Sequence, residues 1–212
     1  MRRIFLIISI SFSVLSLFSC ATAVKINVAL SSVDVSENSA SNIHNFEADN
    51  ILSYKDNIIS ATWDTDTSPL LLTLKNLTDK TIKIIWDDEA FIDINGNAGR
   101  ITHSGTNYID RNNFQPPTIV PKKTSVMENI LPIKNVFLTD YGWIEGHLFI
   151  YKTTNYKETA NIFTGEHIKL LMPMVVGDDK IEYIFDFKVK SVSRFLLPNS
   201  NNYYNHDLNK KK

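Results

Sequence analysis

Short apolar runs alternate with polar turn residues along most of the chain from residue 57 onward. The runs are rich in Ile, Val, Leu, Thr, Trp and Tyr, a composition that is typical of β-strands. They recur at intervals of about 8–12 residues without a long amphipathic helix, which predicts an all-β fold, an antiparallel β-sandwich. We expect strands at 58–63, 70–75, 81–86, 91–94, 100–103, 118–120, 126–132, 143–151, 167–176 and 180–192.

The last of these runs has the clearest period of two. Apolar residues occupy one face and mostly polar residues the other, as expected of a sheet with one solvated side. The Gly177-Asp178-Asp179 turn that precedes the run predicts a hairpin with the run before it. The apolar face consists of Ile181, Tyr183, Phe185, Phe187 and Val189.

The first 20 residues follow a different pattern. Arg2 and Arg3 precede an apolar stretch at 4–17, and no cluster of charges follows it. This layout is typical of a secretory signal peptide. A membrane-spanning helix needs about 20 apolar residues, so the stretch is too short to be a permanent anchor. We predict a signal helix at 1–19 that is cleaved from the mature protein.

The residues at the predicted cleavage site resemble the lipobox of bacterial lipoproteins, which carry a type II signal peptide. Leu17, Ser19 and Cys20 match that pattern, whereas Phe18 stands where a smaller residue is usual. The resemblance implies cleavage before Cys20, diacylglycerol on its sulfur and an acylated amino group. Several acyl chains together anchor a protein firmly to a bilayer. The alternative is an ordinary signal peptide that is cut near 21–23.

The residue after the cysteine bears on the destination of the protein. Ala21 stands there in place of aspartate, which resembles the pattern of lipoproteins sent to the outer membrane of two-membrane bacteria. We therefore expect the protein to be located in the bacterial cell envelope, at the outer membrane. Both the periplasmic and the outer face of that membrane remain possible locations.

The composition of the chain argues against several classes of function. Cys20 is the only cysteine, so its acylation leaves no thiol for a disulfide, a metal site or a catalytic nucleophile. The chain has 22 basic and 23 acidic residues, and loss of Arg2 and Arg3 leaves 20 against 23, a formal charge of −3. A nearly neutral, exported chain is not expected to bind nucleic acid.

The domain organisation follows from composition as well. Segment 20–50 is polar from residue 31 onward and is predicted to be a lipid-anchored tether, because it buries too little apolar surface to order itself. The alternative is a first strand at 25–30 that joins the sheet and is followed by a long loop. The β-sandwich domain is expected at 51–197, and the Asn-rich tail at 198–212 is predicted to be disordered.

Two segments resemble known kinds of protein. Segment 70–86 has two apolar strands around an Asn-x-Thr-Asp turn and resembles a hairpin of immunoglobulin-like modules in adhesion and transport proteins. Segment 86–117, which is dense in aromatic, polar and turn residues, resembles a part of uncharacterised bacterial lipoproteins. The first resemblance implies an immunoglobulin-like β-sandwich, and the second implies neither an activity nor site residues.

The loop at 100–111 and the run that begins at Trp143 supply the candidate binding residues. A loop between strands leaves such side chains free of core packing, and a tryptophan beside a glycine turn is a typical contact residue. For the two arginines we favour a structural role, in which they pair with Asp93 and Asp110. The candidates are Arg100, His103, Tyr108, Arg111, Tyr141 and Trp143, whereas Trp63 and Trp86 are assigned to the core.

No spacing of residues specifies a reaction, a cofactor or a metal site. The sequence has neither Gly-x-Ser-x-Gly nor a phosphate-binding glycine loop, and its five histidines are scattered without metal-ligand spacing. Residues 93–97 begin like a calcium loop. Ala98 and Ser104 then stand where an EF-hand needs Gly and Glu, so we favour a plain turn at Asn95-Gly96.

Together these patterns predict a membrane-anchored envelope lipoprotein that has no catalytic activity and acts as an interaction or accessory module for another envelope protein. The alternative is a binding protein for a small ligand or an envelope glycan. The two hypotheses differ in whether the candidate aromatic residues lie together in a cleft or apart on a flat face.

Overall fold

The computed structural model describes residues 22–37, 40–46, 52–65, 69–149 and 155–196. These residues form fifteen strands, one short α-helix and three 3-10 helices. The strands are β1 (Thr22–Glu37), β2 (Ala40–Asn45), β3 (Ser53–Lys55), β4 (Ile59–Asp64), β5 (Leu70–Asn76), β6 (Ile82–Ile84), β7 (Ala90–Ile92), β8 (Ala98–Gly99), β9 (Ile101–His103), β10 (Thr118–Val120), β11 (Ser125–Pro132), β12 (Val136–Thr139), β13 (Gly142–Glu145), β14 (His167–Val176) and β15 (Asp179–Leu196). The α-helix is α1 (Tyr156–Phe163), and the 3-10 helices span Trp86–Asp88, Tyr108–Asp110 and Ile133–Asn135.

The chain divides into two compact units. One unit, Val24–Arg194, contains the core and the candidate site. The other consists of Met1–Ala23 and Phe195–Lys212, and its described residues are the first two of β1 and the last two of β15. The predicted signal helix at 1–19, Cys20 and the predicted tail at 198–212 lie outside the described residues.

Two sheets form the body of the larger unit. An eight-stranded sheet follows the path β10-β6-β14-β15-β1-β2, with β7 and β8 beside β14. A five-stranded sheet has the order β3-β4-β5-β11-β9, and β12 and β13 form a separate hairpin. Every pair whose register is described is antiparallel. The predicted all-β, sandwich-like fold is therefore confirmed.

Aromatic side chains from both sheets meet in one buried core. Trp63 of β4 packs edge-on against Phe185 and Phe187 of β15, with ring centroids 5.0 and 5.3 Å apart. Trp63 and Trp86 are 3% and 1% exposed, which confirms their assignment to the core. The predicted apolar face of β15 is confirmed too, because its five members are all at most 2% exposed: Ile181, Tyr183, Phe185, Phe187 and Val189.

A carboxylate in the turn between β3 and β4 links the two sheets. The Oδ1 atom of Asp56 accepts the backbone N–H groups of Ile58 and Ile59, each at 2.7 Å. Its Oδ2 atom accepts the hydroxyls of Tyr54 at 3.2 Å and of Tyr183 at 2.9 Å. Burial, reinforced by the nearby Asp56 carboxylate, raises the pKa of the Tyr54 hydroxyl well above its usual range. One side chain thus fixes a turn of the five-stranded sheet to β15.

The polar N-terminal segment is not a tether where the structure describes it. Residues 22–37 form β1, which lies beside β15, and 40–45 form β2, which pairs with β1. The tether prediction for 20–50 is wrong for these residues, whereas the alternative of a first strand at 25–30 that joins the sheet agrees with β1. The compact unit begins before the predicted boundary at 51. The polar composition led to a wrong prediction because backbone hydrogen bonds to neighbouring strands can order such a segment. A few buried side chains are then enough to pack it against the core. Those buried side chains include Val28, Leu30 and Val33.

The two apolar strands within 70–86 do not pair as a hairpin. β5 pairs with β4 and β11 in the five-stranded sheet, whereas β6 pairs with β10 and β14 in the eight-stranded sheet. The connection between them crosses from one sheet to the other. Asn76, fully buried at the end of β5, holds this crossing, because its Nδ2 donates to the carbonyls of Lys80 at 2.8 Å and Val120 at 3.0 Å. Its Oδ1 accepts the N–H of Thr78 at 2.8 Å.

Most other predicted strands occur, some with shifted ends. The bounds 118–120 and 167–176 match β10 and β14, and the predicted hairpin turn at Gly177 joins β14 to β15. The strand predicted at 143–151 is shorter, because β13 ends at Glu145. α1 was not predicted, since its eight residues make too few turns to show a clear helical period. No described helix has the length and apolarity needed to cross a membrane.

We predict that Asn76→Ala lowers the free energy of unfolding by about 1–3 kcal/mol, because it leaves buried carbonyl and N–H groups without partners. Urea denaturation followed by tryptophan fluorescence would measure the loss. Asn57→Ala, the same change at an exposed position, serves as the control and should stay within about 0.5 kcal/mol of the wild type. Equal stability of the two variants would contradict the role given to Asn76.

Candidate functional site

The candidate site lies at β9, the edge strand of the five-stranded sheet. The register between β9 and β11 places Thr102 opposite Leu131 and His103 opposite Ile130. Successive side chains of a strand point to opposite faces. Because His103 and Ile130 are on the core side, where the His103 ring stacks on Trp86, Thr102 and Leu131 are on the outer face.

A groove of about 320 Å³ borders this outer face. Thr102 and Leu131 form its floor, and both are only 2% exposed. The Oγ1 atom of Thr102 is buried and has no hydrogen-bond partner among the described residues. The walls include Pro69, Ser104, Tyr108, Asn129 and Glu145.

Four residues beside the groove form what we call the rim cluster: Tyr108, Arg111, Trp143 and Glu145. The Tyr108 and Trp143 rings meet edge-on with centroids 6.0 Å apart, and the Arg111 guanidinium carbon lies 4.7 Å from the Trp143 ring centroid. The Tyr108 hydroxyl donates to Glu145 Oε1. Burial, together with this contact, raises the pKa of Tyr108 to about 12. The loop at 104–117 and the β12–β13 hairpin are thereby joined.

Three of the six predicted site residues therefore come together, namely Tyr108, Arg111 and Trp143. His103 also borders the groove, although its ring packs in the core. Tyr141 lies in the turn of the β12–β13 hairpin and is 98% exposed, without a ring contact among the described residues. Trp143 is 36% exposed, in agreement with the expectation that it is the exposed tryptophan.

The two arginines have structural contacts, but not with the expected partners. Arg100 pairs with Asp87 at 3.0 Å and donates to the carbonyls of Asn112 and Asn113 at 2.6 and 3.1 Å. Arg111 donates to the Tyr108 carbonyl at 2.6 Å, in addition to its contact with Trp143. The expected pairings with Asp93 and Asp110 are therefore wrong, because those partners were chosen from proximity in sequence. Both arginines do fix the loop, as the structural interpretation required.

Asp93 is occupied by its own turn. Its Oδ1 accepts the N–H groups of Asn95 and Asn97, each at 3.0 Å, and its Oδ2 lies 2.5 Å from the Lys134 ammonium. The hydrogen bond from Lys134 lowers the pKa of this carboxyl. Gly96 has φ +78°, as a tight turn requires. These contacts account for the residues at 93–97 as a turn, and the described residues contain no group of three or more His, Cys, Asp or Glu side chains suited to a metal ion.

A chain of buried polar groups lies behind the groove, on the core side of β9 and β11. The Trp86 Nε1–H donates to Thr118 Oγ1 at 2.9 Å, and the Thr118 hydroxyl donates to Glu128 Oε1 at 2.7 Å. Glu128 Oε2 lies 3.4 Å from His103 Nδ1. The rings of Trp86 and His103 are parallel with centroids 4.0 Å apart. This end of the core is therefore polar and closely ordered.

Glu89, next to the 3-10 helix Trp86–Asp88, is buried as well. It is 5% exposed, and neither carboxyl oxygen has a hydrogen-bond partner among the described residues. Burial, with the Glu128 carboxylate as a second cause, raises the pKa of Glu89 well above its usual range. The sequence carries no signal for this, because Glu89 follows two other acidic residues and such runs are usually solvated.

Comparison of this chain with family models, with curated proteins and with solved structures found no match. Its function is therefore inferred from its own residues.

We predict that Glu89→Gln removes a pH-dependent loss of stability. Because the folded state raises the Glu89 pKa, the wild type loses stability as the pH rises above the ordinary glutamate pKa of about 4.3 toward the folded value. The free energy of unfolding of the wild type should therefore fall relative to that of the variant between about pH 5 and pH 8. Urea denaturation across this range measures the difference. Glu166→Gln at an exposed position should retain the wild-type profile, and parallel profiles for the wild type and Glu89→Gln would show that Glu89 does not titrate in this way.

Proposed function

We propose that this chain is a membrane-anchored lipoprotein of the bacterial cell envelope, and that it acts without catalysis as an interaction module for another envelope protein. The proposed role as an interaction module rests on the β12–β13 hairpin, which exposes a cluster of large apolar side chains to solvent. Patches of this kind on a folded domain mark interaction surfaces.

Both faces of the hairpin are apolar. Phe137 pairs with Ile144 on one face, and Leu138 pairs with Trp143 on the other. Their exposures are 46% and 48% for the first pair and 67% and 36% for the second, while Tyr141 at the turn is 98% exposed. A hairpin that served only to connect two elements would not need an apolar side chain at each of these positions.

The backbone of the hairpin supports the same interpretation. Among the described residues, β12 and β13 pair only with each other, so each strand has one unpaired edge. A partner that adds a strand there would satisfy these backbone groups and cover the apolar side chains together. The base of the hairpin is fixed, since the fully buried Asn135 donates to the His147 carbonyl at 2.8 Å and accepts the Gly146 N–H at 2.7 Å.

The anchoring half of the proposal is supported by the lipobox-like residues at 17–20 and the preceding apolar stretch. Acylation at Cys20 would hold the domain at a bilayer, and Ala21 favours the outer membrane as its destination. The partner would then be a protein of the same envelope compartment.

We also propose that the sandwich is an immunoglobulin-like module. Two features support this placement: the antiparallel pairing throughout the described register, and the crossing from β5 to β6 between the sheets at Asn76. Connections that change sheet are typical of such sandwiches.

We predict that Cys20→Ala abolishes incorporation of a palmitate analogue and releases the protein from the membrane fraction of a bacterial host. Ser19→Ala, which keeps a small residue before the cysteine, should retain the label. Mass spectrometry of the mature N-terminus provides a second readout. A wild-type chain that begins at 21–23 without lipid would identify an ordinary signal peptide instead.

We predict that a photo-cross-linking residue at Ile144 forms one discrete adduct with an envelope protein in intact cells. The same residue at Met127, which is 64% exposed on β11, is the matched control and should not form that adduct. Adding Phe137→Ser, which removes the side chain paired with Ile144 on the same face, should weaken the adduct about tenfold or more, since burial of a phenylalanine contributes about 1.5–3 kcal/mol. Identical adducts from Ile144 and Met127, or an adduct that Phe137→Ser leaves unchanged, would rule out this face of the hairpin as the contact surface.

A further inference from the structure

The floor of the groove contains a hydrogen-bonding group without a partner. Thr102 is 2% exposed, and its Oγ1 atom has no partner among the described residues. A buried hydroxyl without a partner lowers the stability of the fold, since it has lost its hydrogen bonds to water without replacement. Since Thr102 lines the groove, the hydroxyl is placed to meet a group that enters from outside the chain.

The groove offers both donors and acceptors around this floor. Glu145 contributes a carboxylate, Asn129 an exposed amide and Tyr108 a hydroxyl. The half-buried Tyr108 ring adds apolar surface at the wall. Such a mixture suits a ligand that carries several hydroxyl groups on an apolar ring, because a carboxylate or an amide oxygen accepts from hydroxyls while the ring covers apolar side chains.

Charge argues against an ionic ligand. No lysine or arginine is among the described residues that line the groove, so an anion would meet no cation there. The groove is also a poor binding site for a cation. The Arg111 guanidinium already lies over the Trp143 ring, which is the face that a cation would use.

The volume of the groove and the residues at its rim narrow the choice of ligand further. About 320 Å³ is near the lower end of the range of small-molecule sites, about 300–1,000 Å³. The edge-on pair of Tyr108 and Trp143 supplies apolar ring surface beside the opening. We propose that the groove binds a neutral carbohydrate of one or two rings, with Thr102 and Glu145 hydrogen-bonded to its hydroxyls and the Tyr108 ring against its C–H surface.

The test is a titration of the purified full-length protein with three neutral disaccharides, namely cellobiose, maltose and diacetylchitobiose. Tryptophan fluorescence and the NMR signal of the Asn129 side-chain amide are followed. We expect saturable binding of at least one of the three, with both signals changing in parallel. Inorganic phosphate should leave both signals unchanged.

The decisive variant is Thr102→Val, which removes the hydroxyl and keeps the shape. It should weaken binding about tenfold without lowering the urea midpoint, because the hydroxyl has no partner in the fold to lose. Thr62→Val, the same change at an exposed position of β4, should bind as the wild type does, and Glu145→Gln should bind more weakly. Absence of binding for all three sugars, or wild-type affinity in Thr102→Val, would overturn the proposal. Phe137→Ser, which lies on the hairpin face away from Trp143, should retain sugar binding, so failure of the hairpin contact and failure of the sugar site give different results.

Discussion

The packing of β15 against the five-stranded sheet is the contact on which the rest of the structure depends. Alternate side chains of this strand are buried from Ile181 to Val189, and Phe185 and Phe187 meet Trp63 from the opposite sheet. Burying aromatic rings of this size contributes strongly to the stability of the core. It also brings the sheets close enough for two polar links, Asp56 to Tyr183 and Asn76 to the Val120 carbonyl.

At the opposite end of the sandwich, the two faces of the edge strand β9 carry side chains of different chemical character. On the core side of β9 and β11, Glu128 and His103 extend a chain of polar groups beneath Trp86. Burying carboxyl groups is costly unless they are paired or protonated, and burial raises the pKa of Glu89 well above its usual range. On the outer side, Thr102 and Leu131 floor the groove. One strand of three residues thus separates a polar part of the core from the surface at which we place ligand binding.

Sequence patterning succeeded where burial is strong and periodic. β14 and β15 were predicted nearly to their ends, because alternation over many residues is a clear signal and Gly177 marks the turn between them. It left β1 as an alternative to a tether and missed β2, because the order of both strands comes from neighbouring strands rather than from their own apolar content. It also failed to find Glu89 and Thr102, because a single acidic or hydroxyl residue carries no periodic signal of burial. Tyr108, Arg111 and Trp143 were chosen for their chemistry, and their mutual contacts were not foreseen.

The sequence by itself determined that the domain is a β-protein, which side chains of β15 are buried and where the turns at Gly96 and Gly177 fall. These properties depend on neighbours within a few residues, since the period of two is a local consequence of strand geometry. Only the tertiary structure decided that β5 and β6 belong to different sheets, that Arg100 pairs with Asp87, and that Tyr108 meets Trp143 across the rim. The reason is that each of these contacts joins residues distant along the chain. Such pairs form only when the backbone hydrogen bonds and the packing of the whole core are satisfied together.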